Sequence, residues 1–566
     1  MRRPSIATWR LVAATLVAAL ACACSALAQS GAATAAAPTG QSFRIAGTVV
    51  NAVTGDPVQG AAVAVLDADG TRRIASSETA ADGSFALDGL GAAKYALTAS
   101  KRGYTTGFYM QHGKYSSAVV AGPGQETERM VLRLEPSAVI HGAVTADGGD
   151  AVEGATVLLF AKPKENEPGA RIAQVGSVET DDTGAYEFAQ IEAGTYYVVV
   201  QAKPWYAIHS ASGAAGAEAA SDTNSALDVA YPITFYDSTT DEASAAPIAL
   251  TAGSRVEANI NLHAVPALHL KFQAPVQADG SLAIPELRTG IFGVHGSEQG
   301  FERRVENNRE GGTVEFDGVA PGRYELIQGD PQRMAQLDAE SSESVDPSLG
   351  TFVVTIAGTL VNAAGSPLSG EALLTLAPAD STAGRSTLDS KSVGGSFNFY
   401  RITPGKWSLR VTRGDREIPI ESTVIGSRKF AGNNFTVTGQ DLATTATGPV
   451  LALKAVVEEN PLRVEGFARK DGKGVAGAMV VLIPKDWALF PALARRDQSD
   501  SDGSFSLRDV APGAYTIVAI ENAWDDLDWS RPEVIGRYLP GGVAVKVASA
   551  PGGRVKLDAP VQVQPK

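Results

Sequence analysis

DGSFSLRDVAPGAY, which spans residues 502–515, belongs to a pattern that occurs five times along the 566-residue chain. The other copies are DGSFALDGLGAAKY from Asp82, TGAYEFAQIEAGTY from Thr183, GGTVEFDGVAPGRY from Gly311 and GGSFNFYRITPGKW from Gly394. In every copy a glycine stands twelve residues before an aromatic residue. A unit that recurs at domain-sized intervals indicates a tandem array of similar modules.

The repeated unit has the chemistry of a strand, a turn and a second strand. In the copy quoted first, Gly503 follows an aspartate in a turn that tolerates positive φ, and Phe505 and Leu507 then alternate with polar residues. A Pro-Gly pair typical of a turn follows, and Tyr515 begins the next alternating segment. The pattern predicts two half-buried strands that each place one face in a core.

A second shared segment precedes four of the copies and extends the prediction to whole modules. It reads GTVVNAVTGDPVQGAAVAV from Gly47, with related segments from Gly142, Gly358 and Gly466, and a further strand closes each module. About seven short strands separated by turns are typical of a Greek-key β-sandwich of the immunoglobulin type. The chain is therefore predicted to be all-β, a tandem array of such sandwiches.

The predicted modules are numbered in chain order: module 1, residues 41–136; module 2, 137–264; module 3, 265–350; module 4, 351–459; and module 5, 460–566. Module 3 is divergent, because its first half lacks the shared opening segment, and we expect an incomplete or altered sandwich there. Module 2 carries an Ala/Ser/Gly-rich insert at 209–226 that is predicted to be mobile. The short linkers between modules favour a semi-extended rod.

Two groups of residues carry a resemblance to a known family. They are Gly47, Gly55, Pro57, Val58, Gly60, Ala61 and Val63 in module 1, and Thr180, Asp181, Gly184, Tyr186, Phe188, Ile191, Gly194 and Tyr196 in module 2. In this spacing they resemble the carboxypeptidase regulatory-like domain, which is transthyretin-like in fold, and the likeness extends to collagen-adhesin B-type repeats and starch-binding-like sandwiches. The resemblance spans most of the predicted mature chain. It implies a multi-copy protein of this fold and no activity of its own.

The first 28 residues have the features of an export signal. Three arginines accompany an apolar run at 11–23, and small residues at 26–28 are typical of a cleavage site. The apolar run is too short to cross a bilayer, so the chain is predicted not to span a membrane. Residues 1–28 are therefore predicted to be a signal peptide and 29–40 a flexible linker. The mature protein is predicted to be exported to the periplasm, the outer cell surface or the medium.

The cysteines and the charge restrict the partners of the mature chain. Cys22 and Cys24 lie in the segment predicted to be removed, so neither a disulfide nor a thiolate metal site is expected; a lipid anchor on one of them is the alternative. Loss of three arginines changes the formal net charge from −14 to −17. Because such a chain repels phosphate backbones, nucleic acid is not expected as a partner.

The sequence indicates no catalytic machinery, metal centre or cofactor. The six histidines are dispersed without a pair at zinc-binding spacing, and neither a Gly-x-Ser-x-Gly elbow nor a P-loop occurs. The segment QSDSDGSFSLRD from Gln498 resembles part of a calcium loop, but the same place in the other modules is a strand-connecting turn, which we favour here. The chain is therefore predicted not to be an enzyme.

Aromatic and acidic loop residues are the candidate ligand-binding residues. They are Trp524, Trp529, Asp525 and Asp526 in ENAWDDLDW, the pair Trp205 and Tyr206, and the pair Trp487 and Phe490. Exposed rings in sandwich loops suit a polysaccharide, whereas in the alternative interpretation each ring covers the end of its own core. The predicted function is non-catalytic binding or scaffolding with a carbohydrate ligand. The alternative is a passive stalk or adhesive spacer that binds another envelope protein.

Overall fold

The structure is a computed structural model that describes residues 42–566 with several gaps. The positions outside the description are 69, 164–171, 210–225, 278, 296–300, 309–310, 330–331, 380–386, 414–415, 443–449, 459–461, 487–492 and 549–552. The predicted signal peptide and linker lie outside the described residues, as does all but the ends of the insert predicted at 209–226.

Modules 1 and 2 each consist of two facing sheets. The strands of module 1 are β1 (Phe43–Asn51), β2 (Ala62–Leu66), β3 (Arg73–Glu78), β4 (Ser84–Leu90), β5 (Ala93–Ser100), β6 (Gly107–Phe108), β7 (Val119–Ala121) and β8 (Met130–Leu134). Those of module 2 are β9 (Ala138–Ala146), β10 (Thr156–Lys162), β11 (Ala173–Glu179), β12 (Ala185–Ile191), β13 (Gly194–Gln201), β14 (Val229–Ala230), β15 (Thr234–Phe235), β16 (Ile248–Leu250), β17 (Arg255–Glu257) and β18 (Ile260–Leu262). In module 1 the order β4-β1-β8 faces β3-β2-β5-β6, with β7 on β5, and module 2 repeats this plan.

Module 3 also has two sheets, although its sequence is divergent. Its strands are β19 (Val265–Pro266), β20 (Leu268–Ala274), β21 (Glu286–Arg288), β22 (Gly290–Ile291), β23 (Val294–His295), β24 (Glu302–Asn308), β25 (Gly311–Val319), β26 (Gly322–Gln328), β27 (Arg333–Ala339), β28 (Glu343–Ser344) and β29 (Thr351–Phe352). The orders are β24-β25-β20-β28 and β21-β26-β27-β29. The last strand begins where the sequence places module 4, yet it pairs with β27, and the Arg333 guanidinium lies 3.8 Å from the centre of the Phe352 ring.

Modules 4 and 5 complete the array. Module 4 contains β30 (Val354–Val361), β31 (Glu371–Pro378), β32 (Leu388–Val393), β33 (Ser396–Ile402), β34 (Gly405–Arg413), β35 (Arg416–Glu417), β36 (Ile420–Ile425), β37 (Arg428–Ala431), β38 (Asn434–Val437) and β39 (Val450–Val457). Module 5 contains β40 (Leu462–Lys470), β41 (Lys473–Gly474), β42 (Met479–Pro484), β43 (Arg495–Gln498), β44 (Ser504–Val510), β45 (Gly513–Ile520), the short helix α1 (Pro532–Ile535), β46 (Val543–Val547), β47 (Arg554–Lys556) and β48 (Val561–Gln564). The predicted all-β class is confirmed. None of the helices in the described ranges is long and apolar enough to cross a membrane.

The shared opening glycine faces the aromatic residue of the repeat across the sheet. Gly358 pairs with Phe397 and Gly466 pairs with Phe505, and both rings are buried. A Cβ atom at Gly358 would lie 2.0 Å from the Phe397 ring, and one at Gly466 would lie 2.7 Å from the Phe505 ring. Glycine is therefore required here because the ring of the neighbouring strand fills the place of its side chain.

The aromatic residue that ends each repeat anchors the turn before it. Its ring donates a hydrogen bond to the carbonyl oxygen four residues earlier in all five modules. The pairs are Tyr95 with Gly91 (3.0 Å), Tyr196 with Glu192 (2.9 Å), Tyr324 with Ala320 (2.6 Å), Trp407 with Thr403 (3.0 Å) and Tyr515 with Ala511 (2.8 Å). The body of the ring packs in the core while its polar atom holds the turn, which explains why tyrosine or tryptophan, and not phenylalanine, stands at this position.

Each module surrounds its own apolar cluster. Representative residues that are fully buried are Ile45 in module 1, Ile140 in module 2, Phe272 in module 3, Leu360 in module 4 and Phe505 in module 5. Burying alternate residues of facing strands is the main stabilising contribution in a chain whose strands are this short.

Modules 1 and 5 lie in contact, although they stand at opposite ends of the array. The Ser117 hydroxyl of module 1, for example, donates a 2.8 Å hydrogen bond to the carbonyl oxygen of Ser499 in module 5. The predicted semi-extended rod is therefore wrong. Complementary surfaces on the two end modules bring them together, and linker length alone contains no information about such surfaces.

Candidate functional site

The structure places the predicted binding residues in very different surroundings. Trp524 and Trp529 are 7% and 8% exposed, whereas Trp205 is 92% exposed. Asp525 and Asp526 are exposed beside the buried tryptophans. Tyr206 is partly buried, with its ring centre 5.8 Å from that of Trp205 in an edge-on contact. Trp487 and Phe490, the remaining predicted pair, lie outside the described residues.

The prediction that Trp524 and Trp529 are exposed for ligand stacking is wrong. Both strands β42 and β45 carry apolar residues on both faces, so a second cluster forms on the outer side of module 5. Trp524 and Trp529 cover this outer face, and the Trp524 Nε1 atom donates a 2.8 Å hydrogen bond to the Gly477 carbonyl oxygen. A strand that is apolar on both faces must be shielded from water on both. The core of module 5 shields the inner face, and the two tryptophans shield the outer one.

Module 1 closes over the Trp524 ring. The His112 ring stacks on it with centroids 5.4 Å apart and planes 12° apart, and the Tyr115 ring lies 5.2 Å away. The Arg496 guanidinium lies 4.8 Å from the Tyr115 ring, 5.0 Å from Trp524 and 4.6 Å from Trp529. The cation thus joins aromatic rings of both modules, an arrangement favoured by the negative faces of the rings.

Polar groups match across the same contact. Gln498 of module 5 is almost fully buried; its Nε2 atom donates to the Ser117 hydroxyl at 2.8 Å and to the Met110 carbonyl oxygen at 2.5 Å. Its Oε1 atom lies 3.0 Å from the His112 Nδ1 atom. Buried polar atoms are costly unless they are hydrogen-bonded, and those of Gln498 find their partners in module 1.

Module 5 also covers the free edge of β7. The backbone N–H of Ala118 donates to Asp500 Oδ1 at 2.8 Å, and that of Val120 donates to the Ser501 hydroxyl at 2.8 Å. In return the Ser501 N–H donates to the Ala118 carbonyl oxygen at 3.0 Å. The turn between β43 and β44 therefore covers this edge of a module 1 sheet with two side-chain acceptors and one backbone hydrogen bond.

An ion pair adjoins this edge. The Lys94 ammonium lies 2.6 Å from Asp500 Oδ2 and donates a 2.8 Å hydrogen bond to the Ser504 hydroxyl. Burial raises the pKa of Asp500, even though the charge and hydrogen bond of Lys94 act to lower it. Asp500, one of the residues in the partial calcium-loop resemblance, thus directs its carboxylate to module 1.

A second polar cluster joins modules 2 and 3. Asp228 of module 2 lies 2.8 Å from His209 Nδ1 and 2.7 Å from His269 Nε2. His269 Nδ1 lies 2.6 Å from Asp317 Oδ1, and Arg304 Nε donates to Asp317 Oδ2 at 2.9 Å. An ionised carboxylate can only accept hydrogen bonds, so the arrangement favours a His269 ring that donates from both nitrogens, which is the imidazolium form.

The same cluster contains a set of potential metal ligands. His269, Glu315 and Asp317 have ligand atoms within 4.8 Å of one another. Both nitrogens of His269 are occupied by carboxylates, however, and Arg304 is bound to Asp317. The arrangement functions as an ion-pair network that connects two modules, since a metal would have to displace the proton and the guanidinium.

We expect the joint between modules 2 and 3 to weaken as the pH rises. Burial acts to lower the pKa of His269, but hydrogen bonds to Asp228 and Asp317 outweigh it and raise that pKa above 6.5. The stabilisation from the imidazolium is therefore complete below about pH 6.5 and is lost as the pH rises through the raised value. The expected loss is about 1.5–3 kcal/mol, the contribution of hydrogen bonds to a charged group.

Urea unfolding of the wild type and of His269→Gln between pH 5.5 and 9.5 measures this effect. The wild type should lose stability over this range, and the variant should show a flatter profile. His263→Gln is the matched control, because His263 pairs with Asp147 at 2.6 Å but its side chain is 63% exposed. Equal slopes for the wild type and His269→Gln would contradict the assignment.

Comparison with known protein families gives a match within the first module. Residues 44–134 match the family described as the carboxypeptidase regulatory-like domain. Module 1 is similar to this domain. No curated protein matches the chain. The fold of module 1 agrees with the resemblance stated from its sequence, and this is the module whose edge strand and His112 loop receive module 5.

Several solved structures resemble parts of the chain at low identity. The Bacillus anthracis TIE protein is 12% identical, with 76% of each chain covered and a TM-score of 0.17. The shaft pilin SpaA from Lactobacillus rhamnosus GG is 10% identical, with 40% of this chain and 98% of that chain covered and a TM-score of 0.20. A streptococcal ancillary pilin is 9% identical, with 73% and 99% covered and a TM-score of 0.16.

Sequence reasoning missed the residues that join the modules. His112 and Tyr115 are single residues with no motif around them, and the partial calcium-loop resemblance that begins at Gln498 gives no sign of a contact with module 1. His209 and His269 are 60 positions apart in the chain, and each reads as an isolated histidine. The available signal was indirect: β42 is apolar at six consecutive positions, which indicates burial on both faces and therefore a covering partner.

Proposed function

We propose that this chain is an exported, non-catalytic scaffold protein that is closed on itself by its first and last modules. The observation that supports the proposal best is the burial of Gln498 and Trp524 of module 5 against module 1. Side chains of this kind are stable at a surface only when the partner is present. Closure restricts the positions of the intervening modules, so that loops on different modules keep defined relative positions.

The buried ionisable groups support a structural role. Asp500 and His269 have shifted pKa values, and both lie where one module contacts another. At catalytic sites, the ionisable groups with shifted pKa values converge on a cleft. Asp500 and His269 are instead paired with charged or backbone groups of a neighbouring module. In this proposal their task is to set how modules associate.

Hydrogen exchange tests the closed arrangement directly. The amides of Ala118 and Val120 donate to module 5, so they should exchange roughly a hundredfold more slowly than in an open chain if the contact is worth about 3 kcal/mol. Gln498→Ala should remove most of this protection. Gln562→Ala, an exposed glutamine of module 5, should leave it unchanged. Fast exchange of both amides in the wild type would contradict the closed scaffold.

A second candidate function is carbohydrate binding at Trp205. Its 92% exposed ring and the adjacent Tyr206 offer an aromatic surface of the kind that stacks on sugar rings. Binding of the full chain to a panel of immobilised polysaccharides and peptidoglycan tests it. Saturable binding that is lost in Trp205→Ala and retained in Tyr400→Ala, another exposed aromatic variant, is the expected result. If the chain binds none of these glycans, carbohydrate binding is refuted, and the alternative is that the scaffold binds a protein of the cell envelope.

A further inference from the structure

The closed contact leaves an incomplete sheet whenever it opens. Strand β7 pairs with β5 along one edge, and its other edge is bound by Asp500 and Ser501 of module 5. Separation of the modules would expose the N–H groups of Ala118 and Val120 together with the Ala118 carbonyl oxygen. An unpaired strand edge is a template for another chain.

The two surfaces of the contact differ from each other, and every copy of the chain carries both. Module 1 contributes the β7 edge, Lys94 and the rings of His112 and Tyr115, whereas module 5 contributes Asp500, Gln498 and Trp524. A contact between unlike surfaces can be made within one molecule or with the next molecule. A second copy therefore provides every group that an opened module lacks.

Backbone hydrogen bonds hold the connection between modules 1 and 2. The Thr105 N–H donates to the Glu135 carbonyl oxygen at 2.8 Å, and the Ser137 N–H donates to the Gly103 carbonyl oxygen at 3.0 Å. Separation of module 1 from module 5 therefore requires that such bonds open at one of the connections along the array. Each module has its own core, so it can then change position as a unit.

We propose that a second copy of this chain is a partner for this contact, with module 1 of one copy seated on module 5 of another. The inference rests on the proposed closed scaffold, because the surfaces that are exchanged are those that close the single chain. At low concentration the contact within one chain is favoured, since its two halves are tethered. At high concentration, or after opening, exchange gives dimers or open head-to-tail chains.

Charge reversal at the ion pair separates the two arrangements. In the Lys94→Glu chain and in the Asp500→Lys chain the paired positions carry like charges, so each variant alone should be open, with a larger radius of gyration than the wild type. Mixing the two restores an opposite-charge pair in both intermolecular contacts. The mixture should therefore form a species of twice the monomer mass, measured by light scattering and small-angle scattering. The double variant, with both substitutions in one chain, should be a monomer that is more compact than either single variant, although the new lysine cannot accept the Ala118 N–H.

The outcomes distinguish the two proposals. If the single variants are open and the double variant is compact, but the mixture stays monomeric, the closed scaffold stands and exchange between copies is overturned. If the wild type itself has the radius of gyration of an extended array, the same as the single variants, the closed scaffold fails and exchange fails with it.

A second measurement requires no charge reversal and covers the case in which a variant does not fold. Wild-type preparations that carry different dyes are opened together in mild denaturant at high concentration and returned to buffer. Exchange predicts energy transfer between chains that survives dilution until the chains are opened again at low concentration. Lack of transfer, with the Ala118 and Val120 amides protected again, overturns exchange.

Discussion

Replacing Trp524 by alanine is expected to lower the free energy of unfolding of module 5 by about 3 to 5 kcal/mol and to separate module 1 from module 5. The ring covers the outer apolar face of module 5, and it also receives the His112 ring and the Arg496 guanidinium. Its removal leaves a cavity, an unpaired carbonyl oxygen at Gly477 and an incomplete surface for module 1.

Trp205→Ala is the matched control for this prediction. The Trp205 ring is 92% exposed, so the same substitution there should change stability by less than about 0.5 kcal/mol. Calorimetry measures the transition of module 5, and small-angle scattering measures the separation of the end modules. A Trp524→Ala chain that unfolds and scatters as the wild type does would show that neither the core nor the contact depends on this ring.

Replacing Gly83 by alanine is expected to destabilise module 1 by about 2 to 5 kcal/mol. Gly83 has a φ of 73°, which costs an alanine about 1 to 2 kcal/mol. Its new Cβ atom would also lie 2.6 Å from the Val49 carbonyl oxygen and 3.0 Å from the Pro57 Cβ atom, so backbone must move. Overpacking of this kind adds a further 1 to 3 kcal/mol or so.

Gly89→Ala isolates the steric contribution. Gly89 lies in the same module with a φ of 77°, but a Cβ atom there would have no neighbour within 4 Å. It should cost only the conformational part, about 1 to 2 kcal/mol. Hydrogen exchange in peptides from β1 and β4 reports the stability of module 1 by itself. Equal losses in the two variants would refute the crowding at Gly83.

The repeat explains why the fold could be predicted from sequence. Gly83, Gly184, Gly395 and Gly503 all have positive φ, and a Cβ atom at each would approach a carbonyl oxygen of the opening strand to 2.4–2.8 Å. The requirement lies within one module, because the turn and the strand that it touches belong to the same module. Requirements of this kind leave the same residue at the same place in each module, and repetition makes them visible.

The candidate site could be predicted only in part, and Trp524 shows why. The segment ENAWDDLDW mixes acidic residues with tryptophan, which is equally consistent with an exposed binding loop and with a cover over an apolar face. The choice depends on β42 and β45, which present apolar residues on the outer side of the sandwich, and on module 1. Trp205, in a similarly aromatic loop, is 92% exposed among the residues that the structure describes.

The sequence by itself determined the all-β class, the repeated strand–turn–strand unit and the residues that specify its turns, because periodic burial and glycine conformation depend on near neighbours. Only the tertiary structure decided that Trp524 is buried, that His269 is an imidazolium between Asp228 and Asp317, and that the first module contacts the last. These features arise between surfaces whose residues lie up to 410 positions apart. Contacts between residues so far apart produce no repeating pattern in the sequence. They can be recognised only from the three-dimensional arrangement of the modules.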